Sequence, residues 1–149
     1  MTHSALRTVE RCLERAVVMK ETAERLSGSD EEWAAVCYFY SAYHTVKAAF
    51  IEDPVFGDLN RLQSFSTDLV PDDRYVTHHR GRLGNGPRKP GVNDIVRMFY
   101  PTISKQYVRL HMASIAVRYE GGLAPIQLAT VKADYHVIAE AYVGRLLKA

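Results

Sequence analysis

Cysteine is scarce in this sequence: Cys12 and Cys37 are the only two. Two thiols cannot make the disulfide framework of a small secreted domain. Neither belongs to a CxxC pair, so both read as reduced side chains buried on helices. Long apolar runs are missing as well. No stretch approaches the roughly 18–20 residues that cross a bilayer. The opening Met1-Thr2-His3-Ser4 lacks the charged-then-apolar order of a signal peptide. Extended alternation of polar and apolar residues is absent, so no strand is predicted. Several chemistries lose their support in the same way. There is no GxxxxGK[ST] loop, no strand followed by a glycine fingerprint, no GxSxG elbow, no HExxH and no Cys/His ligand spacing. Asp72, Asp73, His78 and His79 have suitable ligand chemistry but follow no metal-binding pattern. No metal and no cofactor are predicted.

The 149 residues are 47% apolar and 24% charged, enough to bury a core as a single domain spanning residues 1–149. The composition predicts a soluble, cytoplasmic protein with no membrane partner. Proline and glycine divide the chain unevenly. Five of six prolines and five of nine glycines fall within 52–101. That third separates two helix-rich ends. In the first end, Leu6, Val9, Leu13, Ala16, Val17 and Leu26 share a face of a helix over 4–26, and Gly28 stops it. Ser29 and Glu32 fit a capping box for a second helix over 30–51. This helix is apolar over most of its circumference, through Trp33, Val36, Cys37, Tyr40, Tyr43, His44, Lys47, Phe50 and Ile51.

In the second end, Thr102 after Pro101 suits the cap of a helix to about 120, striped by Ile103, Tyr107, Leu110, Ser114 and Val117. Gly121-Gly122 closes it, and Pro125 sits in the first turn of a last helix over 124–148. The expected fold is all-α. Four long helices form an antiparallel bundle, with a Gly/Pro-rich central excursion carrying short helices over 58–65 and 93–100. The second helix carries more aromatics than one bundle face needs. Tyr38 and Phe39 are therefore candidates for an interface with a second copy. His44 and His111 read as buried histidines bonded to a tyrosine or a carbonyl. Tyr107, His111 and Arg118 share a helical face and are placed to line a polar pocket between helices.

The near-neutral total charge conceals a dipole. Residues 52–73 hold six acids and one base, a net of −5, and residues 74–97 hold six bases and one acid, a net of +5. His78 and His79 lie in the basic half. The run from His78 to Gly91 has almost nothing to bury. Arginine supplies a planar fork for phosphate, and glycine lets backbone amides approach an anion. An exposed cationic arm over 74–91 is the natural reading, with phosphate or nucleic acid as partner. Pairing of the acidic and basic halves, within the chain or across a dimer, is the competing account.

Two segments resemble a known family. Tyr38-Phe39-Tyr40-Ser41-Ala42-Tyr43-His44-Thr45-Val46-Lys47-Ala48 is similar to the second helix of HEPN domains, with its aromatic pair, Ala-aromatic pair and basic-Ala step. Ser114-Ile115-Ala116-Val117-Arg118-Tyr119, before Glu120-Gly121-Gly122, resembles a later helix of that family. The resemblance implies an all-α bundle of four or five helices that dimerises and binds RNA or nucleotides. Active members are metal-independent ribonucleases of toxin or defence type, with an arginine followed after four to six residues by a histidine. Arg74 and His79 match that spacing. The resemblance therefore makes His79 the general acid/base and Arg74 the group that stabilises the phosphate transition state. Gly81, Gly84 and Gly86 depart from the pattern, since the family's motif opens a helix. The remaining phosphate contacts are expected from His78, Arg80, Arg82, Arg88 and Lys89. The alternative function is a non-catalytic helical interaction module acting as a homodimer.

Overall fold

The computed structural model describes residues 6–81 and 89–149. Among them are six α-helices and two short 3-10 turns: α1 (Val9–Leu26), α2 (Glu31–Glu52), α3 (Leu59–Phe65), α4 (Val92–Phe99), α5 (Pro101–Tyr119) and α6 (Leu128–Val143), with turns at Pro54–Gly57 and Pro71–Tyr75. The protein is all-α, as the periodicity predicts. No helix among the described residues is long and apolar enough to cross a membrane.

The second helix is the axis of the fold. Residues 41–50 are all buried, which a helix achieves only when packed on every side. α1, α5 and α6 surround it, and α4 lies against α5. Small residues allow α1 its close approach: Cys12, Ala16 and Ala23 are buried there. Ser41 fixes the depth of that contact, its Oγ lying 2.7 Å from Ala16 O and 3.3 Å from Tyr135 Oη. One side chain thus ties α1, α2 and α6. Tyr38 and Phe39, expected at an interface, are instead 2% and 0% exposed. Three neighbouring helices use the surplus of aromatics within the chain, so neither residue is available to a second copy.

The helix starts also differ from expectation. Thr8 caps α1, its Oγ1 accepting from Arg11 N at 3.2 Å. α2 is capped by Asp30, which accepts from Trp33 N at 3.1 Å, and not by Ser29. Glu32 instead accepts from Leu123 N at 2.6 Å. That bond holds the chain just after α5, where Gly121 and Gly122 take φ of +96° and +129°. α5 begins at Pro101 with no side-chain cap, so Thr102 does not serve as one. Pro125 precedes α6, which opens at Leu128.

The central excursion belongs to the core. Phe56, Leu62, Leu69, Val92, Ile95, Val96 and Phe99 are all buried. The two limbs of the excursion also meet. Val92 N donates to His78 O at 2.8 Å, and Asn93 N donates to His79 O at 2.9 Å. At Gly91 the limbs touch so closely that a Cβ would sit 2.4 Å from the Arg80 carbonyl carbon. Glycine is required there by space.

Candidate nucleic-acid interface

The junction of the two limbs sets His79. Three anchors hold the segment leading to it. Lys47 Nζ, from the middle of α2, donates to Val76 O and, at 3.4 Å, to Arg74 O. Tyr43 Oη reaches Thr77 O at 3.5 Å. The backbone bonds to Val92 and Asn93 complete the set. His79 is thereby turned inward. Its ring meets Phe39, Tyr40 and Tyr43 edge-on, at centroid distances of 5.4, 6.2 and 5.0 Å. Against it lies His111 of α5, with ring centroids 4.7 Å apart. The opening part of the expected cationic arm is thus folded onto α2 and α5, since the ladder to α4 and the Lys47 ammonium supply local attachments.

Asn93, at the start of α4, orients His111. Asn93 Nδ2 is 2.9 Å from His111 Nδ1. With the amide donating, the His111 proton rests on Nε2. Phe39 stacks on the same ring at 5.0 Å and 27°. His44 and His111 are both buried, as expected, but the partner of His111 is an asparagine rather than a tyrosine or carbonyl. His79 Nδ1, Asn93 Oδ1 and Tyr107 Oη are buried with no hydrogen-bond partner among the described residues. Polar atoms left in that condition cost about 1–3 kcal/mol each and mark a place where a further donor or acceptor is missing.

Arg118, in the last turn of α5, lies beside the pair. Its Nε donates to Ser114 O and Oγ, at 3.3 and 3.2 Å, and its guanidinium sits 5.6 Å from the Tyr40 ring centroid. Burial pulls His79 down to about 4, and the positive charges of Arg118, His78 and Lys47 push the same way. Burial likewise lowers His111 to about 4, with His79, Arg80 and Arg118 adding to it. Among the described residues, the charged groups named as shifting either imidazole are all basic side chains.

The residues expected from sequence now separate. His79 joins His111, Tyr107 and Asn93. Arg74 faces elsewhere: its Nε donates to Pro71 O at 3.0 Å and its Nη2 to Phe56 O at 3.2 Å, and none of its contacts reaches His79. His78, Arg80 and Lys89 are exposed. Arg82 and Arg88 lie outside the described residues. Among the described residues no group of three or more His, Cys, Asp or Glu is placed to hold a metal ion. No protein-family model, curated protein or solved structure matches the chain.

Sequence reasoning found the His111–Arg118 face but did not join it to His79, because the link runs through the 78–93 backbone ladder. Asn93 and Lys47 were missed as functional side chains. The available signal for Lys47 was its place in an otherwise apolar stretch of α2.

Proposed function

We propose that this chain is a cytoplasmic RNA- or nucleotide-binding protein, its four long helices forming an antiparallel HEPN-like bundle that acts as a homodimer. The site is the His79–His111 pair with Arg118, Arg80 and His78 acting on it; Lys89, Arg82 and Arg88 are the further phosphate contacts expected from the sequence. One observation carries this reading: two imidazoles are in ring contact and, among the described residues, the charges that shift them come from basic side chains. A phosphodiester supplies the negative charge such a site lacks.

The same pair is equipped for metal-independent cleavage. One imidazole takes the proton of a ribose 2′-hydroxyl as its oxygen attacks phosphorus. The other gives a proton to the departing 5′-oxygen, leaving a 2′,3′-cyclic phosphate. An incoming phosphate offsets the neighbouring cations and raises both imidazoles toward the range where one can carry the proton. Arg118 and Arg80 stabilise charge on the phosphoryl oxygens. Arg74, committed to two carbonyls, holds the segment that carries His79.

Binding is tested by salt. Five phosphate contacts on a single strand predict a loss of about 100-fold in affinity between about 50 and 200 mM salt. Arg80→Ala with Arg118→Ala should flatten that slope. No RNA binding at low salt overturns the proposal. Cleavage is tested in EDTA, where wild type should cut RNA and His79→Ala and His111→Ala should not. Equal cleavage by all three removes the assigned roles.

A second reading, the interaction module, draws on a different surface. Trp33 and Tyr119 are 48% and 74% exposed. They sit near the ends of α2 and α5 that the Glu32–Leu123 bond joins. That reading predicts that Trp33→Ser changes the oligomeric state while charge reversal at Arg80 leaves RNA binding unmoved.

A further inference from the structure

A cavity of about 330 Å³ opens on the other side of Tyr43 from His79, between the start of α1, the middle of α2 and the segment at 75–77. Lys47 and His44 reach it from α2, Arg7 from the residues before α1, and Tyr75 from the 3-10 turn. No acid lines it. Lys47 is 5% exposed, yet among the described residues its ammonium meets the carbonyl oxygens of Arg74 and Val76 and the Phe50 ring, and no carboxylate. Buried cations ordinarily lie against a carboxylate. Arg7 lacks one too: its guanidinium stands 4.5 Å over the Tyr75 ring and makes no ion pair among the described residues. Tyr43, Tyr75 and Leu6 give the cavity a wall that is largely ring and hydrocarbon.

We propose that this cavity binds a small organic phosphate monoester, its phosphate between Lys47 and Arg7 and its organic part against Tyr43 and Tyr75. The charge count fits, because a dianion meets two cations that have no acid of their own. The size fits as well, since the volume lies at the lower end of small-molecule sites and far exceeds a bare ion. Burial pulls Lys47 down to about 8, with Cys12 opposing and Arg7 adding to it, so the ammonium remains charged at neutral pH. Burial holds His44 neutral, at about 4, with Arg15 and Lys47 pushing the same way. It offers the ligand a neutral imidazole to hydrogen-bond. Tyr43 and Lys47 also hold the segment that carries His79, so Arg7, which makes none of those bonds, is the residue that tests this cavity separately.

The experiment is a titration of the full chain with phenyl phosphate at low ionic strength, followed by calorimetry and by backbone amide shifts. Binding should move amides near Arg7, Tyr43 to Lys47 and Tyr75. Arg7→Ala removes an exposed side chain whose guanidinium rests over Tyr75, and it should weaken binding about tenfold or more. Lys47→Gln should abolish it; should that variant not fold, Arg7→Ala alone decides. Benzoate, with the same ring and one charge, should bind more weakly than phenyl phosphate. No binding of phenyl phosphate, undiminished binding by Arg7→Ala, or equal binding of benzoate would each overturn the proposal.

Discussion

Two buried charges lie six residues apart at the C-terminal part of α2, and the fold treats them differently. Asp53, which ends the helix, is saturated by donors from three separate segments. Val55 N reaches its Oδ1 at 3.1 Å, and Tyr100 Oη and Ala149 N reach its Oδ2 at 3.0 and 2.8 Å. Among the described residues, Lys47 has two carbonyls of one short segment, the Phe50 ring and an open cavity beyond. The same contrast runs through the molecule. Asp134 takes both arms of Arg109, at 3.0 and 2.5 Å. Glu32 and Asp73 accept backbone N–H groups, from Leu123 and Val70. Asp53, Asp134 and Glu32 are used in joints between elements. Among the described residues, no carboxylate forms an ion pair with Lys47, His79, His111 or Arg118. An acid with a full set of donors is architecture; a cation without an acid marks where a ligand brings the missing charge.

This comparison can be broken most directly at Asp53. Asp53→Ala removes three hydrogen bonds at once and strands the Tyr100 hydroxyl, so stability should fall by about 3 kcal/mol in urea denaturation. A fall under about 1 kcal/mol would remove the distinction between joint and site.

Gly91→Ala is the next largest test. The added Cβ must displace the Arg80 carbonyl, at a cost of about 2 kcal/mol. The imidazole signals of His79 and His111 should shift with it, because that contact sets their approach. Unmoved signals would mean that the ladder does not position the pair.

Acid sharpens the contrast from the other side. His44, His79 and His111 are held near 4 against about 6.5 when unfolded. The unfolded chain therefore takes up protons first as pH falls. Their contribution is complete above about 6.5 and is lost progressively toward 4. Each should account for about 1–2 kcal/mol after allowance for partial solvent access. Urea midpoints at pH 7 and 4.5 should show the loss, and His79→Gln should reduce it. A flat profile would contradict the burial of the pair. The smallest effect is expected at Arg109→Ala. Its side chain is 45% exposed, so the loss should be about 1 kcal/mol despite good geometry.

Much of the architecture was readable because α1, α2, α5 and α6 carry apolar residues at helical spacing, and because Pro54, Gly28 and Gly121 mark their ends. What the sequence concealed was long-range. Asp30 and Ser29 are equally good caps by type, and only the docking of Glu32 onto Leu123 shows which is used. The last helix stops at Val143 so that Leu147 can be buried and Ala149 can return to Asp53. The basic segment looked like a free arm because its attachments are backbone groups: the carbonyls of His78 and His79, and those of Arg74 and Val76 under Lys47. Backbone acceptors leave no trace in residue types. The His79–His111 contact, which depends on them, could not be read from spacing alone.

An RNA phosphate should relieve the positive field that basic side chains set up at the imidazoles of His79 and His111. The most direct test of this is an NMR titration of both rings, with and without a 2′-O-methyl oligoribonucleotide that cannot be cleaved. Both should titrate near 4 in the free protein and move upward toward or beyond the unperturbed value of about 6.5 in the complex. Rings that already titrate near 6.5 in the free protein, and that do not respond to RNA, would contradict it.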